Sequence, residues 1–239
     1  MASVRSVPLG GPDGQGGPHV FVDDLARPVL TSADRHHLEK VVRMRAGDPL
    51  TASDGRGGWR PCRFGDPLEV SGEVQVAGRR SPEITIAFTP VKGDRPEWVV
   101  QKLTELGVDT IVVLRTERSV VRWDDERAVR QLERFRRIAH EAAMQCRRCH
   151  LPEVEGVLGV AEVAGWPGVA RADMGGRPAA LGRPVVLIGP EGGWTDAECE
   201  LVPDAIGLGD YVLRAETAAL AAATVLTAQR GGSTLNRDV

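Results

Sequence analysis

The residues whose types and spacing could do chemistry sit in two glycine-bearing bends toward the C-terminal end of the chain. The first, Gly189-Pro190-Glu191-Gly192-Gly193, follows the apolar run "VVLI". The second, Leu208-Gly209-Asp210, leads through "YVLRAET" into an alanine-rich stretch. Glycine lets main-chain N–H and C=O groups approach a ligand closely. Neither bend carries the Gly-Lys-Ser/Thr of a phosphate loop, and neither has the spacing of a dinucleotide fingerprint. A ligand held there would not be gripped mainly by phosphates, which argues against a dinucleotide-dependent oxidoreductase. A neutral or cationic nucleoside, held by the backbone through base and ribose, suits the first bend. A tight strand-to-helix connection with no ligand is the equal alternative.

Cys146-Arg-Arg-Cys149 is the other motif with chemical potential. A structural zinc site needs a second such pair or a suitably spaced His pair, and neither is present. Two unpaired thiols near a helix end is the better reading, and no metal is expected. With Cys62 and Cys199 the four cysteines do not make a disulfide framework in a chain of 239 residues. The formal charge of −3 excludes a protein coated in positive charge, yet between Arg115 and Arg148 ten arginines stand against six acids. A local basic patch of that kind sets the field where nucleic acid would meet it. The long helix's Arg127, Arg130 and Arg134 have acids nearby and read as surface ion pairs of little worth. His36, His37 and His140 receive no role. No apolar run reaches membrane-span length. Residues 1–18, "MASVRSVPLGGPDGQGGP", have no signal-peptide core and read as a flexible lead-in. A cytoplasmic protein is expected.

The elements that must position these groups fall into two parts. From 19 to 80 the pattern is short and β-rich, with "HVFVDDL", "DPLTASDG", "WRPCRF" and "EVSGEVQVAG" as strand-length runs. One helix interrupts them, with Ser32 or Asp34 as N-cap, Leu38, Val41 and Val42 on its apolar face, and Gly47 as its stop. A small barrel with one helix fits, and "GRRSP" reads as a linker. From 83 to 232 strands and helices alternate. "EITIAFTP", "DTIVVL", "PVVLIG", "AIGLG" and "YVL" read as strands. A helix opens near Pro96 and closes at Gly107. A long one follows with the stripe Val129, Leu132, Phe135, Ile138, Ala139 and Ala142. A short helix lies near 195–203 and an Ala-rich one runs from about Glu216 to Gln229. The span 156–184 is poorly patterned. This alternation implies a mainly parallel sheet covered on both faces, with ligands beyond the C-terminal ends of its strands.

Five segments, "HHLEKVVRMRAGD", "KGDRPEWVVQKLTELGVDTIVVLRTERSV", "AHEAAMQCRRCHLPEV", "LIGPEGGWTDAE" and "LGDYVLRAETAAL", occur in an order and spacing that resembles the RsmE family. These are 16S ribosomal RNA uridine-N3 methyltransferases of the SPOUT superfamily. The resemblance runs from His36 to Thr224. It implies a PUA-like β-barrel over 19–80, an α/β methyltransferase domain over 83–232 with a deep trefoil knot at roughly 185–230, S-adenosylmethionine as methyl donor, and a homodimer acting on the small ribosomal subunit. Met144, Arg147, Pro96 and Asp210 depart from the family pattern, which commonly has glutamate, glycine, a larger apolar residue and proline there.

Carried over by residue, Leu187, Gly189, Pro190, Glu191, Gly192 and Gly193 resemble the first wall of a cofactor pocket. Leu208, Gly209, Val212 and Leu213 resemble the second. Arg214, Glu216 and Thr217 match the Leu-Arg-x-Glu-Thr stretch at the head of the closing helix, where alanines 218, 219 and 221–223 would allow close packing. A third cofactor loop is expected within 170–178. Loss of the uracil N3 proton puts negative charge on the flanking carbonyls, and Arg214 is the expected catalytic group that meets it; an arginine satisfying backbone carbonyls or pairing with Glu216 is the alternative. Arg43 and Arg45 on the barrel, with Lys92, Arg95, Arg118, Gln145 and Arg148 on the catalytic domain, are the expected RNA contacts. A SPOUT methyltransferase with another RNA target, and an RNA-binding assembly factor with a dead donor pocket, remain open.

Overall fold

The computed structural model describes residues 12, 16–91 and 93–232. Lys92 and most of the expected lead-in lie outside the described residues. The chain divides into two compact units, one of residues up to Arg80 together with Ala143–Leu151, the other of Ser81–Ala142 and Pro152 onward.

The first unit is built on a five-stranded sheet. Its strands are β1 (His19–Phe21), β2 (Pro49–Ser53), β3 (Gly58–Arg63), β4 (Glu69–Val70) and β5 (Gln75–Val76). β1 pairs parallel with β2, β3 runs antiparallel to β2, and β4 and β5 both pair with β3. Its core gathers Val20, Val22, Leu30, Leu38, Leu50, Cys62, Phe64 and Leu68. The segment 143–151 belongs here because its backbone is tied in: Gly57 N–H donates to Cys149 O at 2.9 Å, and Leu151 N–H to Gly55 O at 2.9 Å. The range 83–232 expected for the second domain is therefore not continuous.

The helix of this unit corrects three expectations. α1 (Ser32–His37) is capped by Thr31, whose hydroxyl accepts from Asp34 N–H, so neither Ser32 nor Asp34 is the N-cap. It continues as a π-helical turn, Leu38–Val42, and stops at Arg43 with φ of 63°, well before Gly47. The wider turn rotates the following side chains, so Leu38 is buried while Val41 and Val42 are exposed.

In the second unit six parallel strands form one sheet in the order β11-β9-β10-β6-β7-β8. They are β6 (Thr85–Phe88), β7 (Thr110–Arg115), β8 (Glu153–Gly159), β9 (Val169–Pro178), β10 (Val185–Ile188) and β11 (Ala205–Gly207). The helices are α2 (Arg95–Leu106), α3 (Asp125–Gln145), α4 (Val160–Val163), α5 (Asp196–Leu201) and α6 (Ala215–Arg230). Alternation along each strand splits the core in two. Ile86, Phe88, Ile111, Val113, Val186 and Ile188 join one cluster with α2, α3 and α6. Ala87, Val112, Leu114, Val185 and Leu187 join another with α4 and α5. The sheet is thus covered on both faces, as a parallel sheet requires.

Gly107 closes α2 at φ of 89° with Pro96 in its first turn, both as expected. The α3 stripe is buried at Leu132, Phe135, Ala139 and Ala142, but Val129 is exposed. "YVL" is no strand: Tyr211 and Val212 sit in the loop after β11, 82% and 85% exposed. On α6, Ala218, Ala219, Ala222 and Ala223 are buried, so the helix packs closely against α2 and β6. Its end is fixed by Arg230, which pairs with Asp109 and donates to Gly107 O at 2.7 Å.

Candidate functional site

The C-terminal ends of β10 and β11 and the middle of β9 border a cavity of about 370 Å³, in the size range of small-ligand sites. Two loops and a strand segment make its walls. Gly189, Pro190, Glu191, Gly193 and Trp194 come from the first bend; Leu208, Gly209, Tyr211, Val212 and Leu213 from the second; Ala172, Asp173 and Met174 from β9. Arg214, Ala215 and Ala218 close it from the head of α6.

The first bend is held in shape at several points. Gly193 N–H donates to Pro190 O at 2.9 Å, and Thr195 starts α5 with a reciprocal cap, its hydroxyl and N–H both bonded to Glu198. Glu198 is buried, and its other oxygen accepts from Glu117 N–H at 2.9 Å. That bond ties the loop after β7 to the bend. Arg118, next along, donates from one Nη1 to Gly192 O at 2.9 Å and Trp194 O at 3.0 Å.

Trp194 joins two of the walls. Its Nε1–H donates to Ala172 O at 3.0 Å, which fixes the β9 segment against the bend. Its ring fills the space over Gly189, where a Cβ would lie 2.8 Å from Cε2. Only glycine permits that packing.

The expected cofactor residues separate accordingly. Gly189, Pro190, Glu191, Gly193, Leu208, Gly209, Val212 and Leu213 line the cavity. Leu187 does not: it is fully buried in the cluster on the other face of the sheet, and its neighbour Ile188 lines the cavity instead. Gly192 turns its carbonyl to Arg118. Glu216 and Thr217 fall off the face of α6 that carries Arg214, Ala215 and Ala218. Glu216 pairs with Arg95 at 3.2 Å, so it is not the partner of Arg214. Arg214 is exposed at the rim, and its guanidinium has no partner among the described residues.

The expected RNA contacts are spread over both units. Arg43 and Arg45 are exposed on the first. Gln145 and Arg148 also belong there, not to the second unit, and Arg148 Nε donates to His150 O at 3.1 Å. Arg147, where the family pattern has glycine, takes a left-handed φ of 59°. Arg95 and Arg118 lie on the second unit with the partners described above. The long helix's Arg130 and Arg134 pair with Glu126 at 3.3 Å and Glu97 at 2.7 Å, but Arg127 has no ion-pair partner among the described residues.

Ala172, Asp173, Met174, Trp194 and Tyr211 were not singled out individually. Trp194, a large ring directly after a glycine pair, is the one whose position in the sequence could have marked it. The cysteines are free, and burial pushes the Cys149 thiol up to about 11, a neutral and unreactive form at ordinary pH. Among the described residues no group of three His, Cys, Asp or Glu side chains could hold a metal ion.

The cavity fits a nucleoside carrying a cationic group. Its walls are mainly apolar or main chain, and its charged members are Glu191, Arg214 and Asp173, the last paired with Arg171 at 3.4 Å. Known proteins agree in kind. A model of the RNA methyltransferase domain matches residues 79–227, and one of the RNA methyltransferase PUA domain matches 30–75. The ribosomal RNA small subunit methyltransferase E of Bacillus subtilis is 30% identical over 84% of this chain and 89% of its own. Its Synechocystis counterpart is 33% identical over 81% and 70%. Among solved structures, a Legionella pneumophila methyltransferase in complex with S-adenosylmethionine superposes with a TM-score of 0.78 at 28% identity, covering 88% of this chain and 97% of that one. The Neisseria gonorrhoeae small subunit methyltransferase E bound to the same compound gives 0.72 at 28% identity, covering 87% and 95%.

Proposed function

This chain belongs to the RNA methyltransferase family, with the ribosomal RNA small subunit methyltransferases E as its relatives, and we propose that it methylates N3 of a uridine in the 16S RNA of the small ribosomal subunit. It is an S-adenosylmethionine-dependent RNA methyltransferase. The observation that carries the reading is the cavity walled by two loops and a strand segment, with one arginine unpartnered among the described residues at its rim.

S-adenosylmethionine, when bound, supplies a methyl group already activated by its sulfonium. Gly189, Pro190, Gly193, Leu208, Gly209 and Leu213 would hold its nucleoside, with the Glu191 carboxylate favouring the positive charge. The chain itself must align the acceptor and exclude water. Arg214 stabilises the negative charge that spreads onto the uracil carbonyls as N3 loses its proton, and a guanidinium with no competing partner is free to do so. The same reading gives a trefoil knot over roughly 185–230. Tyr211 and Val212, exposed beside the cavity, are apolar surface that a second copy would cover, which supports a homodimer. Action in the cytoplasm follows from a ribosomal substrate; among the described residues no helix is long and apolar enough to cross a membrane.

The test is transfer of labelled methyl from S-adenosylmethionine to small subunits lacking the modification, with the base identified by mass spectrometry. Arg214→Ala should lower kcat by at least about a hundredfold, as loss of one charge-stabilising group does elsewhere, and leave donor affinity by calorimetry nearly unchanged. Full turnover in that variant would refute the assignment.

A further inference from the structure

A second cavity, of about 590 Å³, opens on the same edge of the parallel sheet. It lies between the loop after β6, which supplies Gly93 and Asp94, and the loop after β7, which supplies Val120 to Trp123. Arg127, Gln131 and Arg134 of α3 form its far side. In an open parallel sheet ligands collect beyond the C-terminal ends of the strands, and this cavity lies past those of β6 and β7. Thr89, just past β6, donates from both N–H and hydroxyl to Ile188 O at 3.1 Å, so the loop after β6 leaves beside the bend after β10.

One ion pair links the segments that line the two cavities. Arg95 is flanked by Asp94 and Pro96, which line the second, and it pairs with Glu216, which follows Ala215 of the first. The other Glu216 oxygen is buried with no hydrogen-bond partner.

The lining has the chemistry of a nucleic-acid strand site. Arg127, Gln131 and Arg134 recur at i, i+4 and i+7 on one face of α3, spanning about 10 Å along its axis. The Arg127 guanidinium has no ion-pair partner among the described residues. Arg122 makes one contact, to Glu117 O at 3.3 Å. Arg134 is held in place by Glu97 at 2.7 Å, which also neutralises that acid. Three guanidiniums against Asp94 and Glu97 leave the cavity cationic. Trp123 is half-buried and braced on Phe135, with ring centroids 6.0 Å apart, as a platform for a base would be.

We propose that this second cavity binds the RNA strand adjacent to the methylated nucleotide, with backbone phosphates on Arg122 and Arg127 and an unpaired base against Trp123. The inference rests on the methyltransferase reading for the identity of the strand, but its test does not. Fluorescence anisotropy of a short labelled single-stranded RNA, measured over a series of salt concentrations, reports binding directly. The parent chain should show a log–log salt slope of at least about −1.4, the value for two phosphates on a single strand. Arg127→Gln and Arg122→Gln should each weaken binding about tenfold at low salt and shrink the slope by about 0.7. Arg130→Gln removes the same charge from the outer face of the same helix and should change neither.

Thermal melting confirms that each variant is folded, and Arg122, in a loop, serves should Arg127→Gln disturb the helix start. Salt-independent binding by the parent, or equal binding by both cavity variants and the parent, would overturn the proposal, as would an equal loss in Arg130→Gln. If the parent transfers no methyl to small subunits while the cavity variants still lose RNA affinity, the methyltransferase reading fails and the strand site stands.

Discussion

Arg118 was expected to meet RNA, but its guanidinium is turned onto the first bend, and the consequence can be measured. Its Nη1 donates to Gly192 O and Trp194 O at 2.9 and 3.0 Å from a position exposed to solvent. A hydrogen bond from a charged donor contributes about 1.5–3 kcal/mol when shielded. Here one nitrogen serves two acceptors in contact with water, so the pair is worth about 1 kcal/mol. The bend does not collapse without it, because Glu198 still bridges Glu117 N–H and Thr195 N–H at 2.9 Å each. In Arg118→Ala the carbonyls of residues 192 and 194 are freed to wander, and the ordering lost in the free chain must be recovered on binding. About 1 kcal/mol corresponds to roughly a fivefold rise in Kd for S-adenosylmethionine. Calorimetry should read that rise, kinetics a matching rise in KM for the donor, and kcat at saturation should change little. Arg118→Lys, a point charge able to serve one carbonyl at a time, should fall between. An unchanged donor Kd in Arg118→Ala, together with a smaller salt slope for RNA binding, would show that the side chain faces the strand and the latch has no energetic weight.

Two further outcomes test other parts of the structure. Gly189→Ala places a Cβ 2.8 Å from the Trp194 ring, which cannot swing away without leaving Ala172 O. Overpacking of this kind costs about 1–3 kcal/mol, so the melting temperature should fall and donor binding weaken by about tenfold or more, and an unaltered melt would disprove the contact. In the first unit, His19 is buried between Thr51 and the Arg148 carbonyl, and burial lowers its pKa to about 4 from the model-peptide 6.5. The unfolded chain then binds the proton first, so this histidine lowers stability as pH falls through the window from 6.5 to 4 and has no effect above it. At pH 5 the deficit relative to pH 7 is about 2 kcal/mol in urea unfolding. His19→Gln should flatten that part of the pH profile, and an identical profile in the variant would rule His19 out as its source.

How much was legible in the sequence follows from what each residue had to satisfy. α3 is long, and its apolar period could be read directly, except at Val129, which is exposed, while α6 was marked by its run of alanines. β10 was also plain as a strand, but its facing was not. In a parallel strand buried on both sides, Val185, Val186, Leu187 and Ile188 are all apolar, so no alternation says which pair meets the cavity side. Leu187 was the wrong choice for that reason. β9 was missed because it has the opposite problem. It pairs with β10 over Val169 to Arg171, then shifts register against β11, leaving "DMGGR" with little to bury. Yet its Ala172, Asp173 and Met174 make one cavity wall.

The bends, by contrast, declared themselves through glycine, since the backbone itself has to approach something there. What lay beyond reading was long-range pairing. Arg118 and Gly192 are 74 positions apart, and Arg95 finds Glu216 across a still longer loop. Arginine type told that these residues would meet oxygen acceptors, and only the fold decided whether the acceptor was a carbonyl, a carboxylate or a phosphate. Among the described residues that line the two cavities, Arg214 at one and Arg127 at the next have guanidiniums without an internal acceptor, and these are the ones that a substrate has to answer.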